Sequence, residues 1–450
     1  MRNRPNRLAA LCMAAAVAVS AWGEETEEAP TPTFEWAVER AVSTSGTVSA
    51  LRDTLADQLA DTGLQGYLQG IGVSASGAVG GNPGDPFFAS GDATLSASVE
   101  LFPQLSVSGS VSAAGADPTT RQLDPSYAPL KGSVGITVTP LADATGRPRD
   151  LLEIERTRVQ LESAVQSASH TAVSRLLAAV MAERQVGLDE REYAVAEQSL
   201  RATRSLYEKE QATEAAYTAA KDALRSRSHG LLLSRLEAEK ALEHLALAVS
   251  VPADRLSIPP IEQLGLADFV EQASAFVDSA DIDLLTERSA EVLMAALDAE
   301  EAEIDLSAAR AFSPSLSISA SGALPEASYS VEAHFGFTIS DFDLEARDDA
   351  RKGLSSASVA HENTRRMTRF DVRQALLELQ IALEELAAAK EPLETARLGL
   401  AETRYFAEQG EATELEVAQS ELAVKLQEHN VAAAETQVAS RWFALEFSQY

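Results

Sequence analysis

From Leu105 to Ala113 the odd positions read Leu, Val, Gly, Val, Ala, and Ser106, Ser108, Ser110 and Ser112 fill the even ones. The same period of two returns elsewhere. Leu316, Ile318, Ala320 and Gly322 alternate with four serines, and Val134, Ile136 and Val138 alternate with Gly and Thr. Tyr329, Val331, Ala333, Phe335, Phe337 and Ile339 alternate with polar or small residues. Strict alternation sets one face of a strand against an apolar medium and the other against water. Runs of about ten residues match a tilted membrane strand, though a soluble antiparallel sheet with one wet face reads the same way. Ile71–Val79 and Ala93–Leu101 also alternate and flank Gly80, Gly81, Pro83, Gly84 and Pro86, the composition of a hairpin with its loop.

The remaining stretches, 34–62, 149–250, 262–311 and 343–447, are rich in Ala, Leu, Glu, Gln, Arg and Lys and are expected to be helical. A helix running from Arg149 to Glu208 would be about 90 Å long if straight. Val372, Ala375, Leu379, Ala382 and Leu386 step by three and four, as helix–helix seams do. Pro392 is expected to break or kink its helix. Pro252, Pro259 and Pro260 mark a connection between two halves.

The halves repeat. A shift of 200 residues aligns Leu200, Thr203, Arg204, Glu208, Ala212, Thr213 and Glu214 with identical residues at 400, 403, 404, 408, 412, 413 and 414. Pro103, Leu105, Ser106, Ser108 and Ser110 align with Pro314, Leu316, Ser317, Ser319 and Ser321, and Gly135 and Thr137 with Gly336 and Thr338. The expected organisation is a leader at 1–23 and a first repeat at 24–250, with hairpin region 66–142 and helical hairpin 149–250. A second repeat follows at 251–450, with hairpin 312–342 and helical hairpin 343–447.

Arg2, Arg4 and Arg7 before the uncharged run Leu8–Val19, then Ser20, Ala21 and Gly23, have the layout of a cleaved export signal. The sole cysteine, Cys12, falls inside it, so the exported chain is expected to form no disulfide. The formal charge of −31 excludes a nucleic-acid partner, because there is no basic surface to displace counterions. Six scattered histidines, with no HExxH spacing, and the absence of GxSxG, GxGxxG and GK[ST] patterns leave no catalytic, cofactor-binding or metal site to expect.

Leader, duplication, paired hairpins and four long helical arms together resemble the TolC-type outer-membrane efflux protein family, from about Phe34 to Phe447. Phe34-Glu-Trp-Ala-Val-Glu-Arg-Ala resembles its opening helix. Pro103-Gln-Leu-Ser-Val-Ser and Pro314-Ser-Leu-Ser-Ile-Ser resemble the Pro-led strands, and Thr139-Pro140-Leu141 and Asp341-Phe342-Asp343 the strand exits. Tyr405 through Gln419 resembles a turn at the periplasmic tip. The sequence departs from the family at Glu210, where glycine is usual, at Ala412, where a partnering arginine is usual, and in the extra hairpin at 71–101.

The resemblance implies a mainly α fold with transmembrane β, in which duplicated helical hairpins form a periplasmic α-tunnel. It also implies a trimeric β-barrel with about four strands per protomer, twelve in all, or eighteen if the extra hairpin joins. Tip turns would lie at Glu210, Gln211, Ala212 and Thr213 and at Gly410, Glu411, Ala412 and Thr413. Glu414 and Glu416 would line a constriction, with three Glu416 carboxylates raising one another's pKa. Leu105, Val107, Leu316, Ile318, Phe335 and Phe337 would face outer-membrane lipid. The implied function is a non-enzymatic, cofactor-free passive exit duct of a tripartite pump or type I secretion system. Its partners would be a periplasmic adaptor (membrane fusion) protein and an inner-membrane transporter. The alternative is a periplasmic coiled-coil adaptor or structural protein with a soluble β-domain.

Overall fold

The computed structural model describes residues 32–61, 71–81, 89–102, 105–113, 130–138, 146–309, 313–324, 328–338 and 341–447, with side chains at 32–60, 148–309 and 344–447. The leader, Pro103 and the strand exit at 139–141 lie outside these residues.

The stretch expected as one helix over 34–62 is two, α1 (Phe34–Thr44) and α2 (Gly46–Asp61). Thr33 starts α1 by accepting a hydrogen bond from the Trp36 N–H at 3.2 Å. Ser45 is extended, and its hydroxyl accepts from Val48 N–H at 3.4 Å, so a second cap interrupts the run. Next come α3 (Gly146–Glu208) and α4 (Glu214–Val249). The stretch 262–311 likewise divides, into α5 (Leu266–Ser279), α6 (Ile282–Glu287) and α7 (Ala290–Ala308). Asp281 explains one break, since its carboxylate accepts from the N–H groups of Asp283 and Leu284 and thereby starts a new helix.

Of the expected break or kink at Pro392, the break does not occur: α8 (Asp341–Glu408) runs for 68 residues through it. The proline removes one hydrogen bond to the Ala388 carbonyl. Leu386 and Leu393 are both buried, so packing on either side of the proline holds the helix together. α9 (Glu414–Phe447) completes the chain.

The strands correct the expected count of about four. β1 (Ile71–Gly81), β2 (Ala89–Phe102), β3 (Leu105–Ala113), β4 (Leu130–Val138), β5 (Ser313–Leu324) and β6 (Ser328–Thr338) form one six-stranded antiparallel sheet in chain order. The extra hairpin joins because its period-two pattern matches the strand beside it. The register brings Ile71, Val99, Val107, Ile136, Ala320 and Val331 into one row across all six strands. The neighbouring row is Gly72, Ser98, Ser108, Gly135, Ser321 and Ser330. A one-residue slip at any pairing would mix the two rows.

The chain divides into two compact units, Met1–Leu51, Val159–Leu293 and Asn363–Tyr450 in one, and Arg52–Arg158 and Met294–Glu362 in the other. Each draws on both sequence repeats. The second unit holds the sheet. In it Arg156 of α3 meets Asp298 and Glu301 of α7 at 2.7 Å each, and these carboxylates raise the guanidinium pKa further.

The first unit holds the main core. Leu379 and Ala382 of the anticipated seam are buried there, with Val173 and Leu176 of α3 and Val438 and Ala439 of α9. Phe34, Phe269 and Phe443 meet at ring-centroid distances of 5.0 to 5.3 Å, tying α1, α5 and α9 together. Arg184 of α3 donates to Glu262, in the connection between halves, and to the Glu428 carbonyl of α9, at 3.1 and 3.2 Å.

Glu446 is the one carboxylate buried at this end of α9, 8% exposed, and its Oε2 has no hydrogen-bond partner among the described residues. Burial pushes its pKa from 4.5 up to about 7. A raised folded-state pKa means stability that is fully present below about pH 4.5 and lost as pH rises through about 7. Glu446→Gln is therefore expected to stabilise the protein by about 2–3 kcal/mol at pH 8 and to change little at pH 4. Thermal unfolding of both proteins across this range checks it; a gain independent of pH would reject the burial argument.

Candidate functional site at the helix-reversing turns

The two sequence-predicted tips are the turns that reverse α3 into α4 and α8 into α9. Both end the first helix in the same way. Gln211 N–H donates to the Leu206 carbonyl at 2.8 Å and Glu210 N–H to that of Tyr207 at 2.9 Å. In the second turn Glu411 N–H donates to Phe406 at 2.9 Å and Gly410 N–H to Ala407 at 3.0 Å. This is the Schellman pattern, which needs a left-handed residue just past the helix. Gly410 takes that place at φ +76°, and Glu210 takes it at φ +59°. A left-handed backbone suits glycine and strains a residue bearing a Cβ by roughly 1–2 kcal/mol.

The returning helices also start alike, up to a point. Thr213 accepts from the Ala216 N–H at 3.2 Å, and Thr413 from the Glu416 N–H at 3.3 Å. Only the second turn closes the bond in reverse. Glu416 Oε2 accepts from the Thr413 N–H at 2.7 Å and from its hydroxyl at 2.9 Å, a complete capping box. The counterpart of Glu416 is Ala216, which has no side chain to reach back.

Those bonds bear on the expected constriction. Thr413 donates two hydrogen bonds to Glu416, which stabilise its charged form and lower its pKa, the backbone N–H first and the hydroxyl second. In a single chain this is the opposite of the upward shift expected for a ring of three. Glu414 lies exposed in the first turn of α9, one residue past the cap.

Above the turns the two hairpins use matching residues differently, which sequence reading missed. Thr403 and Ser420 share a hydroxyl–hydroxyl bond of 3.0 Å, and Arg404 pairs with Glu421 at 2.7 Å across α8 and α9. In the first hairpin the partners are Ala220 and Lys221. A lysine repels Arg204, which pairs along its own helix with Glu208 at 2.8 Å, while Thr203 donates to the Ser199 carbonyl just as Thr403 does to that of Gly399. Tyr207 and Tyr217, with rings stacked at 5.3 Å, bridge α3 and α4 instead. The signal was available by setting the repeats side by side six and seven residues beyond Glu214 and Glu414. In the second hairpin a groove of about 630 Å³ lies against the turn, lined by Thr403, Phe406, Glu411, Ala412, Glu416 and Gln419 among others.

The six positions expected to face lipid, Leu105, Val107, Leu316, Ile318, Phe335 and Phe337, have described backbones within the sheet, but their side chains lie outside the described residues. Among the described residues no group of three or more His, Cys, Asp or Glu could hold a metal ion, and no helix is long and apolar enough to cross a membrane.

The turns make opposite predictions for matching positions. A methyl group at 410 would meet nothing within 4 Å, so the penalty there is purely one of backbone angle. Gly410→Ala is expected to destabilise by about 1 kcal/mol, and Glu210→Gly to stabilise by about 0.5–1 kcal/mol, both after allowing for glycine's greater freedom when unfolded. Denaturant unfolding of the pair checks it, and a loss at both positions would mean the shared left-handed geometry is wrong.

No protein-family model and no curated protein sequence matches the chain. Solved structures do. The outer membrane protein VceC of Vibrio cholerae matches with a TM-score of 0.57 at 13% identity, over 92% of this chain and 94% of its own. The open-state MtrE outer membrane channel of Neisseria gonorrhoeae matches with a TM-score of 0.58 at 14% identity, over 93% and 89%. The CmeC outer membrane channel of Campylobacter jejuni matches with a TM-score of 0.57 at 15% identity, over 96% and 91%. Over more than nine-tenths of its length, this chain has the fold of the outer-membrane channels of the TolC type.

Proposed function

We propose that this chain is an outer-membrane channel-tunnel with a large periplasmic part, the passive exit duct of a tripartite efflux pump or a type I secretion system. It is not an enzyme and needs no cofactor. The observation that carries this reading is the likeness in fold to outer-membrane channels over more than nine-tenths of the chain. The periplasmic adaptor and inner-membrane transporter of such a system would supply contact at the tips and energy, respectively.

Assembly as a homotrimer is supported by a surface that one chain leaves bare. Met367, Phe370, Leu377 and Ile381 of α8 are each more than half exposed and step by three, seven and four. At about 100° per residue this stripe lies roughly opposite the buried seam through Leu379 and Ala382. A helix apolar on two faces has two neighbours to meet, and a second copy supplies the other.

The expected result for the native chain is flotation with outer-membrane vesicles, a trimeric mass after detergent extraction, and conductance in planar bilayers. A detergent-free monomer in the periplasmic fraction would remove the duct and leave the adaptor-like alternative.

Glu416 carries the finer proposal that the second turn contributes acidic groups to the constriction. Glutamine also completes a capping box, so Glu416→Gln keeps the hydrogen bonds and removes only the charge. The variant trimer is expected to remain intact and to lose part of its block by multivalent cations added from the periplasmic side. Single-channel recording checks this. An unchanged block would assign Glu416 to the turn alone.

A further inference from the structure

The six strands pair in chain order, and all five pairings are antiparallel. β1 and β6 are therefore the two edges of the sheet, and they run in opposite directions. In a duct that crosses a membrane as the proposed function requires, a free edge would leave backbone N–H and C=O groups unpaired in hydrocarbon, where no water can satisfy them. A protomer contributing four strands would offer β3 to its neighbour. That side of β3 is already occupied by β2, in register from Ala93–Ala113 to Glu100–Ser106 and, past a register shift, at Phe102–Leu105.

We propose that β1 of one copy pairs antiparallel with β6 of the next, so that three copies close a ring of eighteen strands in place of twelve. The directions agree, because rotation about the ring axis preserves them and an even number of strands leaves first and last opposed. The lengths agree too, at 11 residues for each edge. Neither edge carries the devices that keep a free edge from pairing. β1 has no proline and no charged residue, and β6 has no proline and one carboxylate, Glu332.

The rows across the sheet also constrain the joint. The apolar row ends at Ile71 on one edge and Val331 on the other, and the Gly/Ser row at Gly72 and Ser330. To keep the rows unbroken around the ring, even positions of β1 must meet even positions of β6, which places Ser74 opposite one of Ser328, Ser330, Glu332, His334, Gly336 and Thr338. Barrel width grows roughly in proportion to strand number, so this ring would be about one and a half times as wide as a twelve-stranded one. It belongs to the size class that leaves an aqueous lumen, and the limit on cargo size then falls on the helical part.

This inference rests on the duct reading, and cysteine pairing in outer-membrane vesicles tests the two separately. Ser74→Cys is combined in turn with Ser328→Cys, Ser330→Cys, Glu332→Cys, His334→Cys, Gly336→Cys and Thr338→Cys, and Ser108→Cys on β3 is combined with the same six. Single-cysteine chains serve as controls. The expected result is oxidant-dependent covalent oligomers, up to a trimer, from at least one Ser74 combination and from none with Ser108. Linkage from Ser108 but not Ser74 would establish a twelve-stranded ring, overturning the inference and leaving the duct intact. A Ser74 bond within one chain, or no linkage at all in a floating trimer, would also overturn it. If the native chain fails to float with outer-membrane vesicles, the duct reading itself falls.

Discussion

Helices longer than sixty residues take most of their stability in a folded protein from burial along a neighbour rather than from propensity. Everything else here depends on that lateral packing. The buried residues of α3, α8 and α9 are dominated by Ala, Val and Leu, which let helices approach closely, and the larger side chains gather around Phe443, itself fully buried. Phe34 and Phe269 converge on it from positions far apart in sequence. The same packing carries α8 through Pro392, where local preference would have stopped it.

Long helices in side-by-side pairs require turns that reverse direction within five residues, and these turns have diverged. Both use one left-handed residue and a threonine cap. The second adds glycine where the backbone wants it, a reciprocal carboxylate and a cross-hairpin ion pair. The first places a glutamate in the strained position and replaces the ion pair with stacked tyrosines. The second turn is therefore the better-defined of the two in hydrogen-bonding terms. The first keeps a left-handed glutamate at Glu210 and has half a cap.

The sheet follows a different rule. Its six strands satisfy their backbone groups only by pairing, and the rows of apolar and Gly/Ser positions persist across every strand, including the joint between β4 and β5 where the two repeats meet. One chain therefore supplies a sheet with two open edges and a helix with an unused apolar stripe. Both are incomplete in the same sense, and in the proposed trimer a symmetric neighbour would complete both.

Period and local chemistry were legible before any coordinates: the strands from alternation, the long helices from composition, the seam through Leu379, and the turns from Gly410 and the threonines. These depend on residues near one another in the chain, where spacing and bonding are direct physical consequences. The breaks at Ser45 and Asp281 were missed although the capping residues are in plain view, because a serine or aspartate caps a helix only when the chain around it has reason to turn. The continuity of α8 through Pro392, and the place of the hairpin at 71–101 in the sheet, depended on partners more distant in sequence. The fate of Glu416 is local by contrast: Thr413-Glu-Leu-Glu416 has the spacing of a capping box, and its carboxylate bonds Thr413 three residues back. Local preferences of about 1 kcal/mol wrote most of the secondary structure, and burial of several kcal/mol, between residues hundreds of positions apart, decided where those preferences were overruled.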